Sequence, residues 1–344
     1  MPSRRTVLTG ALSSVALAAM PFGIAQGRER FPLLAGGRLV PRDLSAYRQI
    51  MMSGGPGKDG IPSIDAPAFW SAAEAGGYLD DGDIVFGLVE GGTARAYPQR
   101  VLVWHEIVND TIGMRRLAVT YCPLTGTAIA FERNDTAFGV SGSLVNSNLV
   151  MYDRDTDTWF PQVLAVGISG PHAGGALVER PLVWTTWERW RAAYPRTDVL
   201  STKTGFARNY ERDPYGAYNP PEGYYAPDSA RIFPVLNEDD RFAPKTMVLG
   251  GRTADVAVAF DLATLRREGQ LIQRVGGDAF TAVYDPGLDT GYIFRGASDA
   301  RATMDGALPG SVRWSDGRAL EPVNTFQAMW FAWAAFYPGS AVHA

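Results

Sequence analysis

The amino-acid sequence predicts an α+β protein that is rich in antiparallel strands and consists of two related, duplicated halves with short helices. Three observations indicate this fold class. Short apolar stretches alternate with polar residues and end in turn residues, as antiparallel strands do. The helices that the pattern indicates are short. A series of apolar, aromatic and proline positions occurs twice along the chain, which is a sign of internal repetition.

The N-terminus has the pattern of an export signal. Arg4 and Arg5 precede an apolar run over residues 7–19, and small residues continue to Ala25. This run is shorter than the roughly 20 residues that a membrane-spanning helix needs, and paired arginines are typical of the twin-arginine route. We therefore predict a signal peptide over residues 1–25, a periplasmic or extracellular location, and no transmembrane segment in the mature chain.

An N-terminal extension over residues 26–81 is predicted to precede a first repeat domain over residues 82–204. The strands of this domain are recognised by their alternating apolar residues and by the Gly, Asn and Asp residues that follow them. The strands at residues 105–110 and 115–121 are expected to form a hairpin around a turn at residues 109–113. The expected strands lie at residues 84–91, 105–110, 115–121, 127–133 and 138–144, with a turn at residues 109–113.

Two short helices are predicted in the same domain. Pro98 suits the first turn of a helix, where its missing N–H is not needed. Trp187, Trp190 and Tyr194 share one face of a second helix, which Pro195 ends. The second helix is therefore expected to have an apolar face.

The repeat is seen in two gap-free alignments. Residues 96–123 align with residues 259–286, and residues 187–199 align with residues 330–342. The offset between the copies is 163 residues in the first alignment and 143 in the second, so the first copy holds 20 additional residues between these anchors. The additional residues fall in an interval that includes residues 138–163, which we interpret as a polar insertion.

The two copies differ where chemistry would be expected. His105 aligns with Glu268, and Cys122 aligns with Asp285. The thiol and the imidazole therefore occur only in the first copy, whereas the positions that build a fold are shared. We expect the functional site in the first half and a degenerate second repeat domain over residues 244–344.

The connector between the halves, residues 205–243, is rich in Tyr, Pro and Gly. Such a composition favours irregular structure. Its five tyrosines would be costly to leave in water, so we expect the connector to pack against the domains.

Cys122 is the only cysteine in the chain, so it cannot form an internal disulfide. In an oxidising compartment an exposed thiol without a role is a liability. We therefore expect Cys122 to be buried, functional or both.

Four motifs carry a resemblance to a known family. The stretches VWHEIVND, TYCPLTGTA, FGVSGSLVNSNLVMYDR and TTWERWRAAYP occur in this order. Together they resemble the DUF3179 family of uncharacterised, mostly exported bacterial proteins, and the resemblance covers roughly residues 82–344. It implies no activity, so function has to be inferred from the residues.

Cys122 and His105 are the leading candidates for chemistry. A thiolate and an imidazole are ligands that copper or zinc prefers, and Met151 is the candidate for a further copper ligand, with Glu106, Asp153 and His172 also available. The same two residues could serve as nucleophile and base of a cysteine enzyme. One geometric objection applies: with a turn at residues 109–113, His105 would lie opposite about residue 118, roughly 13 Å from Cys122 along the strand.

The polar insertion supplies candidates for substrate binding. Loop carboxamides and an arginine near a thiol could hold a carboxylate or an amide. The predicted substrate-binding residues are Asn146, Asn148, Asp153, Arg154 and Gln162. The alternative is structural, because Asn residues cap turns and Asp–Arg pairs are common on surfaces.

Charge and motifs disfavour two classes of partner. The chain has 32 basic and 36 acidic residues and a net charge of −4, which disfavours a nucleic-acid partner. Its Gly-rich stretches do not follow the strand-to-helix pattern of a dinucleotide site, and no P-loop occurs, so no nucleotide cofactor is indicated.

Three functions remain open from the sequence. The first is metal binding, with copper at Cys122, His105 and Met151 and a possible redox role. The second is a cysteine-nucleophile enzyme that acts on a small polar substrate. The third is a non-catalytic periplasmic binding or structural module in which Cys122 is merely buried. A small molecule or a metal is the expected partner, and the sequence does not indicate an oligomeric state.

Overall fold

A computed structural model describes residues 32–304 and 312–343. Strands make up 42% and helices 11% of the structure, and the strands form several antiparallel sheets. The prediction of a strand-rich protein with antiparallel sheets and short helices is thereby confirmed. The predicted signal peptide over residues 1–25 lies outside the described residues.

Six short helices occur in the described residues, and none of them has the length and apolar character that would let it cross a membrane. The helices are α1 (Leu44–Gln49), α2 (Ala72–Ala75), α3 (Gln99–Leu102), α4 (Trp187–Ala193), α5 (Leu262–Glu268) and α6 (Trp330–Phe336). The strands up to the connector are β1 (Leu34–Ala35), β2 (Met52–Ser53), β3 (Phe69–Ser71), β4 (Ile84–Glu90), β5 (Thr93–Pro98), β6 (Ile107–Ile112), β7 (Arg115–Cys122), β8 (Thr127–Arg133), β9 (Phe138–Val145), β10 (Asn148–Asp153), β11 (Trp159–Pro161), β12 (Ala176–Leu177), β13 (Glu179–Arg180), β14 (Val183–Thr186) and β15 (Asp198–Leu200). The remaining strands are β16 (Gly216–Tyr218), β17 (Pro221–Gly223), β18 (Met247–Arg252), β19 (Ala257–Asp261), β20 (Gln270–Val275), β21 (Asp278–Asp285), β22 (Thr290–Arg295), β23 (Ala302–Met304), β24 (Val312–Trp314), β25 (Glu321–Val323), β26 (Thr325–Met329) and β27 (Ala341–His343).

The first half contains two main sheets that α3 connects. One has the strand order β14-β4-β5-β15-β3, in which β15 runs parallel to β5 and the other neighbours are antiparallel. The other has the order β13-β8-β7-β6 and is antiparallel throughout.

The second half has the same arrangement. Its sheets have the orders β26-β18-β19-β27 and β20-β21-β22-β25, and α5 connects them as α3 does in the first half. Here β27 is parallel to β19, and the other pairs are antiparallel. The order and direction of the strands therefore recur, while an origin by duplication and the predicted domain limits stay predictions.

A tryptophan packs on a glycine at the same place in both halves. A Cβ at Gly87 of β4 would lie 2.1 Å from the ring of Trp190 on α4, and a Cβ at Gly250 of β18 would lie 2.1 Å from the ring of Trp333 on α6. Any larger residue would displace the helix from its sheet. The helix predicted to end before Pro195 is α4, and Trp190 is buried as predicted.

The predicted turn at residues 109–113 is wrong. Ile112 pairs with Arg115, so the β6–β7 turn consists of Gly113 and Met114. Asn109, which has the composition of a turn residue, lies instead in a buried strand, where its carboxamide bonds to the backbone of Phe138. The polar side chain is satisfied by a neighbouring segment, which a local pattern does not reveal.

The extension and the insertion are both part of the folded core. In the extension, β1 pairs with β12, β2 with β9 and β3 with β15. The insertion forms the sheet β11-β10-β9. Its residues Phe138 and Phe160 belong to one hydrophobic cluster with Trp330, Trp333 and Phe336 of α6, so the core runs across both halves.

The connector is held by its aromatic residues, as predicted. It contains the hairpin β16–β17 and is otherwise irregular. All five of its tyrosines are buried or half-buried; they are Tyr210, Tyr215, Tyr218, Tyr224 and Tyr225.

Candidate functional site

Cys122, the last residue of β7, is fully buried. The backbone N–H of Leu149 donates to its Sγ at 3.3 Å, and the thiol lies 3.9 Å from the carbonyl oxygen of Ser147. Burial, with the charge of Glu106 as a smaller cause, raises the pKa of the thiol to about 11. At neutral pH Cys122 is therefore a protonated thiol inside the core.

His105 uses both ring nitrogens inside the protein. Nδ1 donates to the carbonyl oxygen of Pro62 at 2.7 Å, which leaves Nε2 to accept from the hydroxyl of Tyr210, also at 2.7 Å. Burial lowers the pKa of the imidazole. These bonds point away from the thiol, and neither ring nitrogen is bonded to Cys122.

Glu106 follows His105 at the point where the backbone leaves the β6–β7 hairpin. The two-residue turn pairs Ile107 with Thr120, so the expectation that His105 lies opposite residue 118 is wrong. Glu106 has a φ of 57°, in the left-handed region that is uncommon for side chains other than glycine. Its carbonyl oxygen still accepts the N–H of Tyr121 at 2.8 Å. The carboxyl of Glu106, and not the imidazole, thereby acts electrostatically on Cys122.

The Glu106 carboxyl is an unusual group. Its residue is only 6% exposed, and no hydrogen bond or ion pair to the carboxyl occurs among the described residues. Burial raises its pKa to about 8. The sequence indicated Glu106 only as one possible metal ligand, since its burial and its distance from counter-charges depend on the fold.

The predicted copper ligands do not form a recognisable metal cluster. Met151 is buried in β10 and belongs to the same hydrophobic cluster as Cys122. Within residues 32–304 and 312–343, no group of three or more His, Cys, Asp or Glu side chains is placed to hold a metal ion. Copper binding at Cys122, His105 and Met151 stays a prediction.

Asn148 and Gln162 meet in a buried network. The Asn148 amide donates to Thr125 Oγ1 and to Gln162 Oε1, both at 3.0 Å. The Gln162 amide donates to Thr120 Oγ1 at 2.8 Å, and Thr127 Oγ1 donates to Gln162 Oε1 at 2.6 Å. The two carboxamides tie the insertion to β7 and β8, and their bonds are made within the protein.

Asn146 connects three segments. It lies in the β9–β10 turn with a φ of 52°, which suits asparagine. Its amide donates to the carbonyl of Ala335 at 3.2 Å, and its Oδ1 accepts the N–H of Leu236 at 2.8 Å. The side chain therefore fastens the insertion to α6 and to the connector.

Asp153 and Arg154 point to different partners. The carboxylate of Asp153 accepts the backbone N–H groups of Thr156 and Thr158, at 2.7 and 3.1 Å. Arg154 forms an ion pair with Asp59 at 3.0 Å. The structure does not bring the five predicted substrate-binding residues together, and their role in substrate binding stays a prediction.

A cleft of about 430 Å³ lies between the two halves. It is bordered by β14 and the connector on one side and by α5 and β26 on the other. The lining residues that bear on its chemistry are Trp184, Tyr218, Asn219, Arg266, Asp289 and Gln327. They come from distant segments, so no sequence motif marked this cleft.

Aromatic rings form one wall of the cleft. Trp184 is half-buried, and three rings stand steeply against it, with centroid distances of 4.9 Å to Phe86, 6.0 Å to Tyr121 and 5.1 Å to Tyr218. Tyr218 in turn stacks on Tyr225 at 3.8 Å. This packing holds the indole in one orientation.

Uncharged polar groups on both sides of the cleft lack partners within the protein. Gln327 is only 7% exposed, yet its carboxamide has no hydrogen bond in the described part of the chain. On the Trp184 side of the cleft, the indole N–H of Trp184 and the carboxamide of the exposed residue Asn219 are likewise without a partner there. The charged groups are paired: Arg266 binds Asp289 at 2.8 Å.

A smaller cavity of about 170 Å³ shares Tyr218 and Asn219 with the cleft. Asp213 lines it and accepts from the Gln99 amide at 2.6 Å and from the Tyr225 hydroxyl at 3.0 Å. Burial raises the pKa of the Asp213 carboxyl. This network stiffens the connector beside the cleft.

The fold and the cleft define a strand-rich α+β protein with two halves of equal topology and a polar cleft between them. The model of the family described as "Protein of unknown function (DUF3179)" matches residues 58–340. The chain belongs to this family, which confirms the resemblance seen in the motifs; the match begins before residue 82, within the extension. No curated protein and no solved structure matches the chain.

Proposed function

We propose that this protein binds a small polar molecule in the cleft between its halves. The observation that carries the proposal is the Gln327 carboxamide, which lines the cleft, belongs to a residue only 7% exposed and has no hydrogen bond in the described part of the chain. A carboxamide without a partner in the protein keeps a donor and an acceptor for a ligand.

The size and lining of the cleft support the same proposal. Ligand sites in proteins typically have volumes of about 300–1,000 Å³ and combine aromatic walls with a few polar groups. The cleft of about 430 Å³ meets this description. A groove of about 490 Å³ at the β6–β7 turn supports it less, since its Arg115 already pairs with Glu90 at 2.7 Å and Glu132 at 2.8 Å.

The geometry favours binding over nucleophilic catalysis by Cys122. A cysteine nucleophile acts as a thiolate and has to reach its substrate. The Cys122 thiol is fully buried, and burial holds its pKa well above neutrality. His105, the predicted base, bonds to Tyr210 and Pro62 instead.

A substitution that fills the cleft tests this proposal. Ala263 is exposed on α5 and lines the cleft, so Ala263→Trp should block it. The probes are neutral saccharides, choline, glycine betaine and amino acids, measured by isothermal titration. We expect one probe class to bind and Ala263→Trp to weaken its binding at least roughly 10-fold.

The matched control is Ala192→Trp, at an exposed alanine of α4 outside the cleft. This variant should bind as the unchanged protein does. Absence of binding by every probe class, or equal binding by the Ala263→Trp variant, would contradict the proposed function.

Two proposals rest on the sequence alone. Export by the twin-arginine route is supported by residues 1–25, and an N-terminus that begins after Ala25 in protein recovered from the periplasm would test it. Copper binding is supported by the ligand types of Cys122, His105 and Met151. Equal copper contents in the unchanged protein and the Cys122→Ser variant, matured in the native host, would exclude a thiolate site.

A further inference from the structure

The charged groups of the cleft are already engaged. Asp289 binds Arg266 at 2.8 Å and also accepts the hydroxyl of Tyr284 at 2.6 Å. Asp261 accepts the backbone N–H of Thr264 at 2.6 Å. An ionic ligand would have to compete with these internal bonds, so the cleft is poorly suited to select a ligand by charge.

The groups that lack partners are uncharged. They are the carboxamides of Gln327 and Asn219, the indole N–H of Trp184 and the hydroxyls of Thr186 and Thr246. A carboxamide presents a donor and an acceptor side by side. Two adjacent hydroxyls of a sugar, each of which donates and accepts, match this arrangement.

The aromatic wall suits the other surface of a sugar ring. A pyranose has a face of C–H groups that packs on aromatic rings, while its hydroxyls point outward. Trp184 is held by Phe86, Tyr121 and Tyr218, so little conformational entropy would be lost when a ring packs against it. The cleft thus places a rigid aromatic surface on one side and the unpaired Gln327 carboxamide on the other.

We propose that the cleft binds a neutral carbohydrate, with a pyranose ring against Trp184 and adjacent hydroxyls bonded to Gln327 and Asn219. This inference rests on the proposed function and names the ligand class of the same site. Choline and betaine are the competing class, because an aromatic wall also attracts organic cations.

The test is titration with glucose, N-acetylglucosamine, maltose and cellobiose, beside choline, glycine betaine and glutamate. We expect at least one neutral saccharide to bind and the charged probes not to bind. Gln327→Ala should weaken saccharide binding at least roughly 10-fold, since a site that bonds a hydroxyl discriminates strongly. Trp184→Phe, which removes the indole N–H, should also weaken it.

Matched variants control for unspecific effects. Gln273→Ala changes a glutamine of β20 outside the cleft, and Trp159→Phe changes a tryptophan whose indole N–H binds Asp157. Both should keep the saccharide affinity within about twofold. Thermal unfolding of each variant serves as a fold check.

The possible outcomes separate the two proposals. Binding of choline or an amino acid, but of no saccharide, with loss in the Ala263→Trp variant, would overturn the carbohydrate assignment and retain the cleft as a ligand site. Saccharide binding that is unchanged by both Gln327→Ala and Trp184→Phe would overturn the assigned site. Binding of no probe would overturn the proposed function itself.

Discussion

At the scale of single residues, Glu106 couples an unusual backbone conformation to an unusual charge state. Its left-handed backbone turns His105 out of the β6–β7 ladder toward Pro62 and Tyr210. The same turn buries the carboxyl beside Cys122, away from any cation that would stabilise its charge. His105 and Cys122, the leading candidates from the sequence, are thus not bonded to each other. The charged group that acts on the thiol is Glu106.

The pKa of Glu106 predicts a pH dependence of stability. Its folded value of about 8 exceeds the ordinary value of 4.5, so the folded state binds the proton more tightly than the unfolded chain. The contribution of the Glu106 carboxyl to the free energy of unfolding is fully present below pH 4.5 and is lost as the pH rises from 4.5 to 8. We expect Glu106→Gln to be more stable than the unchanged protein by about 2–4 kcal/mol at pH 8 and by about 1 kcal/mol or less at pH 5.

Denaturant unfolding at pH 5 and pH 8 measures this difference. Glu188→Gln, at an exposed position of α4, is the matched control and should behave alike at both pH values. If Glu106→Gln changes the free energy of unfolding by the same amount at pH 5 and at pH 8, the fold does not raise the pKa of the Glu106 carboxyl.

Part of this site was predictable from the sequence. A single cysteine in a chain with a predicted export signal was expected to be buried or functional, and Cys122 is buried. The position of His105 was not predictable, since it depends on which residues form the β6–β7 turn. Asn109 suggested a turn by composition, but its bonds to Asp65 and Phe138 place it inside a strand.

At the scale of elements, the tryptophans of α4 and α6 perform the same task. Trp190 donates its indole N–H to Thr197 at 3.0 Å, and Trp333 donates to Ser340 at 3.0 Å. Each ring lies over a glycine of the adjacent sheet. The sequence predicted that these tryptophans correspond, while the glycines that receive them became evident only from the packing.

This packing predicts a matched sensitivity to substitution. Gly87→Ala and Gly250→Ala would each place a Cβ about 2.1 Å from a tryptophan ring. Overpacking of a core typically costs about 1–3 kcal/mol, and we expect both variants to lose stability at the upper end of this range. Gly57→Ala is the control, since a Cβ at Gly57 meets nothing within 4 Å. Denaturant midpoints measure the loss; an unchanged midpoint in either tryptophan-facing variant would contradict the shared packing.

In the insertion, the local residue pattern predicted a strand but not the partners of the polar side chains. Its alternating residues correctly predicted the strand β9 (Phe138–Val145). Its polar residues suggested a substrate loop, but Asn146 bonds to Ala335 and Leu236, and Asn148 bonds to Gln162. Residue type indicates that a carboxamide will form hydrogen bonds, and only the neighbouring segments determine whether the partner is protein or ligand.

At the scale of the whole molecule, a buried ion cluster joins the halves. Glu179 of β13 forms an ion pair with Arg252 of β18 and a second one with Arg38 at 3.4 Å. Its carboxylate also accepts a hydrogen bond from the Asn324 amide at 2.7 Å. The Arg252 side chain is fully buried and the Glu179 side chain is 2% exposed. The carboxylate thus compensates positive charge contributed by two separate parts of the chain and bonds to a third.

Removal of Glu179 should therefore destabilise the whole protein. Glu179→Ala leaves Arg252 buried without its counter-charge, a change that typically costs about 3–5 kcal/mol. Glu90→Ala, which breaks a more exposed pair with Arg115, should cost about 1 kcal/mol or less. Denaturant unfolding compares the two; equal losses would indicate that the cluster adds no more than a surface pair.

Local sequence was sufficient for the strand-rich class, for the positions of five strands and two helices in the first half and for the family, because alternation and turn residues record the burial and backbone needs of adjacent positions. Distant segments set the rest. The Gln327–Trp184 cleft, the electrostatic effect of Glu106 on Cys122 and the Glu179–Arg252 pair each join residues that are not neighbours in the chain. Whether a polar group is left unpaired, and hence available to a ligand, depends on every segment packed around it.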